Sequence, residues 1–209
     1  MPKLTCNCGY ENEYDLPDRY NISGHDGERT LSCILDGSLL TVLCPACATE
    51  LRLEMPILVT TGSGSLALVP EIDRRDFLAG QLTYELPKVD RIAIGFAELA
   101  EKVKIAQARL DDAAIEVLKY YMLSRALEEA DDQQEVSVVF QAADDDSLCF
   151  TIVGLRPNEH GHSRVPRDVY QRIVADLSAK RDEEPFKTFL RPPYVSVSQI
   201  LNHLDGADG

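Results

Sequence analysis

The sequence predicts an α+β protein, and three observations lead to that prediction. Two close pairs of cysteines stand among strand-like segments before residue 60, helical periodicity begins near residue 91, and alternation of apolar and polar residues returns after residue 134. Of the 209 residues, 44% are hydrophobic and 27% are charged. That composition is typical of a folded globular chain with one large domain or two small ones.

The two cysteine pairs define the first part of the predicted fold. One residue separates Cys6 from Cys8, a proline and an alanine separate Cys44 from Cys47, and 35 residues lie between the pairs. Four thiolates in this pattern form a ligand set for tetrahedral Zn²⁺. The sequence therefore predicts a zinc-ribbon-like sheet with these four metal ligands. Because a site closed by four thiolates has no open position for a substrate, no catalytic or cofactor-binding residue is assigned.

Strands are predicted around the cysteine pairs, over residues 10–16, 39–43 and 50–55, from the alternation of their apolar residues. Between the pairs, residues 27–36 place apolar side chains at helical spacing, and Gly37 stands where a helix would end. This pattern predicts a short helix. The alternative is a hairpin turn at that glycine and the aspartate before it.

A β-hairpin is predicted from two apolar segments, residues 57–60 and 66–69, joined by a turn rich in glycine and serine. The turn lacks the lysine of a phosphate-binding loop, so it does not indicate nucleotide binding. Residues 70–87 follow no single period and are expected to be a mixed, partly irregular connection.

Two helices are predicted at the centre of the chain. The first begins at Arg91, and its core face consists of Ile92, Phe96, Leu99, Val103 and Ala106. The second is capped by Asp111 and Asp112 and runs to about Ala130. Its core face consists of Ile115, Leu118, Met122 and Ala126. Such a stripe predicts burial inside the protein, and the alternative is a face that binds a partner.

The last third of the sequence predicts a β-hairpin followed by a helix. Residues 135–141 and 148–153 alternate as strands, and three aspartates at 144–146 form the turn between them. Residues 156–164 are predicted to be a loop. Pro166 then occupies the first position of a helix through Ala179.

The complete prediction is an α+β fold with an N-terminal zinc-ribbon-like antiparallel sheet, a central helical pair and a C-terminal β-hairpin plus helix. Residues 1–130 would form a zinc-ribbon domain with a helical extension. Residues 135–209 would form a small α+β segment, a candidate second domain, with residues 131–134 as the linker. Residues 205–209 should fray.

The net charge of −14 comes from 35 acidic and 21 basic residues. Such a surface repels phosphates, so the sequence does not favour nucleic acid as a partner. The first residues do not read as a signal peptide, and no apolar run is long enough to span a bilayer. We therefore expect a cytoplasmic protein with reduced cysteines and no membrane partner. Cys33 and Cys149, outside the pairs, are expected to be small buried apolar residues.

The second cysteine pair, Cys44-Pro-Ala-Cys47, matches the motif of the CpXC-domain family of bacterial and archaeal proteins. Further similar segments are residues 20–22, 34–39, 68–70, 97–105 and 110–116. The chain thus resembles this family over roughly residues 1–125. It departs from the pattern at the first pair, which has one intervening residue and no proline, and at Ala48, where a glycine is common. The family is functionally uncharacterised, so the resemblance implies a zinc-ribbon-like domain and no activity.

Three functions are compatible with these patterns. The first is a structural-zinc protein that works as a partner-binding or regulatory module, with an unknown protein or a second copy of the chain as its partner. The second is a metal-dependent or histidine-based enzyme that uses the segment Glu159-His160-Gly161-His162. The third is a redox sensor whose thiolates release zinc on oxidation. The sequence favours the first over an enzyme.

Overall fold

A computed structural model describes residues 3–129, 135–156 and 159–200. Its helices and strands confirm the predicted α+β class. By packing, the chain forms two compact units, residues 1–100 and 101–209. The predicted linker, residues 131–134, and the predicted fraying end, residues 205–209, lie outside the described residues. That residues 1–130 and 135–209 are separate domains stays a prediction.

The first unit begins with two short antiparallel hairpins. In one, β1 (Lys3–Thr5) pairs with β2 (Glu11–Glu13), and in the other, β4 (Thr41–Leu43) pairs with β5 (Glu50–Arg52). β2, β4 and β5 are shorter than the strands predicted over residues 10–16, 39–43 and 50–55, and β1 was not predicted. Each strand ends where its hydrogen bonding to the partner strand ends. Alternation of apolar residues does not show how far this pairing extends.

The helix predicted between the cysteine pairs is confirmed as α1 (Glu28–Asp36), and the hairpin alternative is wrong. Gly37 ends it with φ 79°, a left-handed conformation that glycine adopts without steric cost. A single 3₁₀ turn, His25–Gly27, precedes the helix.

The first unit also contains a four-stranded sheet in the order β3-β6-β7-β8. These strands are Arg19–Asn21, Ile57–Thr60, Ser65–Val69 and Arg91–Ile94. The antiparallel pairing of β6 with β7 confirms the hairpin predicted over residues 57–69. The pairings of β3 with β6 and of β7 with β8 are parallel. The irregular connection before β8 contains a short helix, α2 (Arg74–Leu78).

The prediction that the first central helix begins at Arg91 is wrong, because its first four residues form β8. Ile92, Ala93 and Ile94 are all buried, as expected for a parallel strand covered on both faces. Gly95, with φ 75°, follows this strand directly and is the first residue of α3 (Gly95–Gln107). The non-local pairing with β7 therefore overrides the local helical period.

In the second unit, the other central helix is confirmed as α4 (Asp112–Glu129). The Asp111 carboxylate caps it, since Oδ1 accepts hydrogen bonds from the N–H groups of Ala113 at 2.9 Å and Ala114 at 3.2 Å. Ile115, Leu118 and Ala126 are buried and Met122 is half-buried, so the predicted stripe is mostly core.

A three-stranded antiparallel sheet follows, with the order β11-β10-β9. The predicted hairpin is confirmed as β9 (Ser137–Ala143) and β10 (Ser147–Arg156). The loop predicted over residues 156–164 is wrong where the structure describes it, because Glu159–Pro166 forms β11 and pairs with β10. The polar, histidine-containing segment is an edge strand, and its composition resembles that of a loop because much of it faces water.

Two helices complete the described part of the second unit. The predicted C-terminal helix is α5 (Arg167–Lys180), and Pro166 is its N-cap residue, one position before the predicted place. A short helix, α6 (Phe186–Phe189), follows. Among the described residues, no helix combines the length and the apolar character needed to cross a bilayer.

The core of the second unit contains an ionic network that joins four parts of the chain. From α3 come Glu101 and Lys102, and from α4 come Glu116 and Lys119, each at most 5% exposed. The Lys102 ammonium donates to Glu116 Oε1 at 2.9 Å and to the Val195 carbonyl at 2.7 Å.

The other members of this ionic network are also paired. The Lys119 ammonium donates to Glu101 Oε2 at 2.8 Å and to Glu116 Oε1 at 3.3 Å. The free carboxylate oxygens accept backbone hydrogen bonds, Glu101 from the Phe140 N–H at 2.6 Å and Glu116 from the Val197 N–H at 2.9 Å. Asp112, near the surface, is 3.5 Å from the Lys102 ammonium. Buried charges are tolerated only with this degree of hydrogen bonding.

The network shifts the pKa of two of its members in opposite directions. Burial lowers the pKa of Lys102, but Glu116 and Asp112 raise it by more, so it lies above the ordinary value of 10.5. Burial raises the pKa of Glu116, but Lys102 and Lys119 lower it by more, so it lies below the ordinary value of 4.5. Both charges are therefore kept in the folded protein at neutral pH.

We expect Lys102→Met to lower the free energy of unfolding by about 3 to 5 kcal/mol, because Glu116 and the Val195 carbonyl lose a buried donor. Urea denaturation at pH 7 measures the loss. The matched control is Arg172→Met, which breaks an ion pair with Asp168 whose side chains are both 70% exposed. Its effect should stay below about 1 kcal/mol. Equal effects of the two substitutions would contradict a stabilising role for the network.

The two pKa shifts also predict the pH range of this stabilisation. The lowered pKa of Glu116 gives stability that is fully present above about pH 4.5, its ordinary pKa. This stability is lost as the pH falls through the pKa of Glu116 in the folded protein. The raised pKa of Lys102 gives stability that is present below 10.5 and is lost as pH rises through the folded-state value. The difference in unfolding free energy between wild type and Lys102→Met should be largest between these limits. A difference that does not change with pH would contradict this account.

Candidate metal centre

The two cysteine pairs lie at the tips of the two short hairpins. In the first, the Cys6 N–H donates to the Tyr10 carbonyl at 2.8 Å and closes the β1-β2 turn. In the second, the Cys44 N–H donates to the Thr49 carbonyl at 2.9 Å and closes the β4-β5 turn. Each hairpin thus delivers one cysteine at the end of its first strand and one inside the turn.

The turns differ by one residue, which explains the unequal spacing of the pairs. The Gly9 N–H donates to the Cys6 carbonyl at 2.8 Å across three residues, whereas the Ala48 N–H donates to the Cys44 carbonyl at 2.8 Å across four. In both turns the residue after the second cysteine is left-handed, with φ 85° at Gly9 and 57° at Ala48. The Cys-X-Cys pair is therefore a shortened version of the Cys-Pro-X-Cys turn.

The four sulfur atoms converge on one point. Cys6 Sγ is 3.5 Å from Cys47 Sγ, Cys8 Sγ is 3.7 Å from Cys44 Sγ, and all four atoms lie within 4.8 Å of one another. Four thiolates at the usual zinc–sulfur distance define a tetrahedron with edges of about 3.8 Å. The separations of 3.5 and 3.7 Å are close to that edge length, and they are far longer than the roughly 2 Å of a disulfide bond. The cluster could hold a metal ion.

Burial of the cluster is graded. Cys6 and Cys44, at the strand ends, are 3% and 1% exposed, whereas Cys8 and Cys47 are exposed. The site is therefore at the surface of the first unit, closed on its inner side by the hairpins. In the part of the chain that the structure describes, no other set of three or more histidine, cysteine or acidic side chains brings its ligand atoms so close together.

Two thiols of the cluster have pKa values shifted in opposite directions. Hydrogen bonds with the Thr49 hydroxyl and backbone, and then with Cys8 and Cys6, lower the pKa of Cys47 to about 6. The backbone N–H of Cys8 lowers the pKa of Cys6, but burial and the neighbouring sulfurs raise it by more, to about 12. Thiols packed so closely resist ionising together, and a bound cation is what would allow all four to be thiolates.

The remaining cysteines and the histidines lie elsewhere. Cys33 and Cys149 are half-buried and outside the cluster, whereas the sequence predicted burial. His160 and His162 lie on β11 and are exposed, with His162 Nδ1 3.5 Å from Thr151 Oγ1. The structure thus places the histidine segment on a strand, where the sequence predicted a loop.

The second unit has a groove of about 520 Å³ between α4 and the β10-β11 hairpin. Its lining comprises Tyr121, Met122, Arg125, Ala126, Ile152, Leu155 and Ser163. Met122 and Ala126 belong to the predicted stripe, while the strand residues were missed, because sequence spacing does not show which strand faces which helix. Neither His160 nor His162 lines this groove.

Two comparisons with known proteins give matches to this chain. The family model described as CpXC protein matches residues 4–119, which include all four clustered cysteines. A curated protein of Treponema pallidum (strain Nichols), described as an uncharacterized protein, is 26% identical over 221 residues. The match covers 96% of this chain and 99% of that protein. No solved structure matches the chain.

The left-handed residues of the two turns make a paired prediction. Gly9→Ala should lower the free energy of unfolding by about 1 kcal/mol, because a side chain at φ 85° is strained. Ala48→Gly should change it little, because φ 57° is the usual left-handed value, so the smaller strain relieved is offset by the entropy of glycine. Gly62→Ala, at an open position with ordinary φ, is the control. A harmless Gly9→Ala, measured by calorimetry, would contradict the described turn.

Proposed function

The chain belongs to the CpXC protein family, and from that premise we propose that Cys6, Cys8, Cys44 and Cys47 bind one structural Zn²⁺ in a partner-binding or regulatory module. The observation that supports this proposal is the convergence of four sulfur atoms within 4.8 Å from two separate hairpins. A tetrahedral set of sulfur ligands suits zinc, and it also suits iron, so the metal must be identified by measurement.

A structural role for the metal is supported by the small size of the two hairpins. Each has two strands of three residues, and isolated two-stranded hairpins are marginal in water. Next to β2, the Tyr14 hydroxyl donates to the Leu43 carbonyl of β4 at 3.5 Å, a long hydrogen bond that adds little to the contact between the hairpins. A metal bound by both turns would cross-link segments 35 residues apart in sequence and so restrict the unfolded chain.

A binding module is favoured over an enzyme because four cysteines would fill all coordination positions of the metal. The histidines of the enzyme alternative lie exposed on a strand and outside the groove. A partner would not reach Ile115 or Leu118, which are 0% and 4% exposed. The large apolar side chains that α4 exposes are Tyr121 and Leu127.

Metal content tests the zinc proposal. We expect about one zinc per chain in protein purified without a histidine tag and analysed by elemental spectrometry. The double variant Cys44→Ser, Cys47→Ser should lose the metal together with thermal stability, because two of four ligands are removed. The matched control is Cys33→Ser with Cys149→Ser, which changes the two cysteines outside the cluster and should keep the metal.

Two results would contradict this proposal. Iron instead of zinc would make the centre a different, redox-active site. No metal in the reduced wild type would leave a thiol cluster, and the redox-sensor alternative would then be tested by titrating the thiols before and after oxidation.

A second copy of the chain is the simplest candidate partner. Sedimentation equilibrium of the metal-loaded protein at micromolar concentrations tests this directly, and a dimer is the expected result. A monomer at every concentration would exclude self-association and leave a different protein as the partner. Activity lost in a folded His160→Ala, His162→Ala variant would instead support the enzyme alternative.

A further inference from the structure

The histidine segment acquires a defined geometry once it is placed on β11. Successive side chains of a strand point to opposite faces, so His160 and His162 lie on the same face, with Cα atoms about 6.6 Å apart. The register supports this, because His160 is opposite Val153 and His162 is opposite Thr151 on β10. Neither imidazole is covered, since both residues are exposed.

The neighbouring charges leave this face open to a cation. Arg164 is the next residue on the same face, but its Nη1 lies 3.9 Å from Asp144 Oδ2, toward the β9-β10 turn. Glu159 is on the opposite face and pairs with Arg156 at 3.8 Å. The hydroxyl of Thr151, 3.5 Å from His162 Nδ1, can orient that ring and leave Nε2 outward.

We propose that His160 and His162 form a second metal site, which binds a divalent transition-metal ion through both imidazoles and completes its coordination with water. Imidazole nitrogen suits Cu²⁺, Ni²⁺ and Zn²⁺, whereas the sulfur cluster favours softer or tetrahedral ions. Two ligands on one paired strand are pre-arranged, so the second bond forms at a high effective concentration. The site is independent of the cysteine cluster and of its metal.

Isothermal titration of the zinc-loaded full chain with Ni²⁺ tests the site, because Ni²⁺ does not oxidise thiols as Cu²⁺ does. We expect one Ni²⁺ per chain, bound at least about tenfold more weakly after either His160→Asn or His162→Asn. His25→Asn changes an exposed histidine with no second imidazole beside it among the described residues, its Nδ1 lying 3.4 Å from Glu28 Oε1, and should leave binding unchanged. A zinc-binding dye in the same solution shows that the cysteine metal stays in place.

A matched variant separates chelation from histidine content. His162→Asn combined with Arg164→His keeps two histidines on the exposed face of β11 but places their Cα atoms about 13 Å apart, too far to share one ion. It should lose Ni²⁺ affinity as His162→Asn does, with unchanged circular dichroism and zinc content. Wild-type affinity in this variant or in both single variants would overturn the proposal, as would Ni²⁺ uptake matched by zinc release.

Discussion

Convergence of four sulfur atoms is the constraint on which the N-terminal fold depends. Two hairpins with three-residue strands bring Cys6, Cys8, Cys44 and Cys47 within 4.8 Å, although their own pairing is too short to fix them. Without a cation the thiols do not ionise alike: the backbone N–H of Cys8 lowers the pKa of Cys6, but burial and the neighbouring sulfurs raise it by more, to about 12, whereas hydrogen bonds lower the pKa of Cys47 to about 6. A bound metal cation would favour the thiolate form of all four cysteines and would cross-link the two hairpins.

The second unit also packs ionisable groups closely together, and there the charges are paired by other side chains of the same unit. Glu101, Lys102, Glu116 and Lys119 are buried, and carboxylates, ammonium groups and backbone groups satisfy one another. Such a network adds less stability than an apolar core of the same volume, but it has one geometry that satisfies every group. It therefore specifies how α3, α4, β9 and the segment around Val195 pack together.

Local signals in the sequence predicted much of this structure. The cysteine spacing, the glycine after α1, the aspartate cap of α4 and the turns of the two hairpins each act within a few residues. Pairing between distant segments was missed. Residues 91–94 follow a helical period but form a parallel strand with β7, and residues 159–166 look polar but pair with β10. Lys102 and Glu116 were missed as buried residues because nothing local distinguishes them from surface charges. Spacing predicted the four cysteines of the cluster, whereas the conformation of the shortened first turn is set by its backbone hydrogen bonds, which spacing does not specify.

X-ray absorption at the zinc edge reports the atoms bound to the metal in the intact protein, and so tests directly whether the four cysteines alone hold it. We expect four sulfur neighbours at about 2.3 Å and no shorter shell of nitrogen or oxygen. A first shell that contains nitrogen or oxygen, or fewer than four sulfurs, would contradict the closed cysteine site. It would also remove the argument for a purely structural metal.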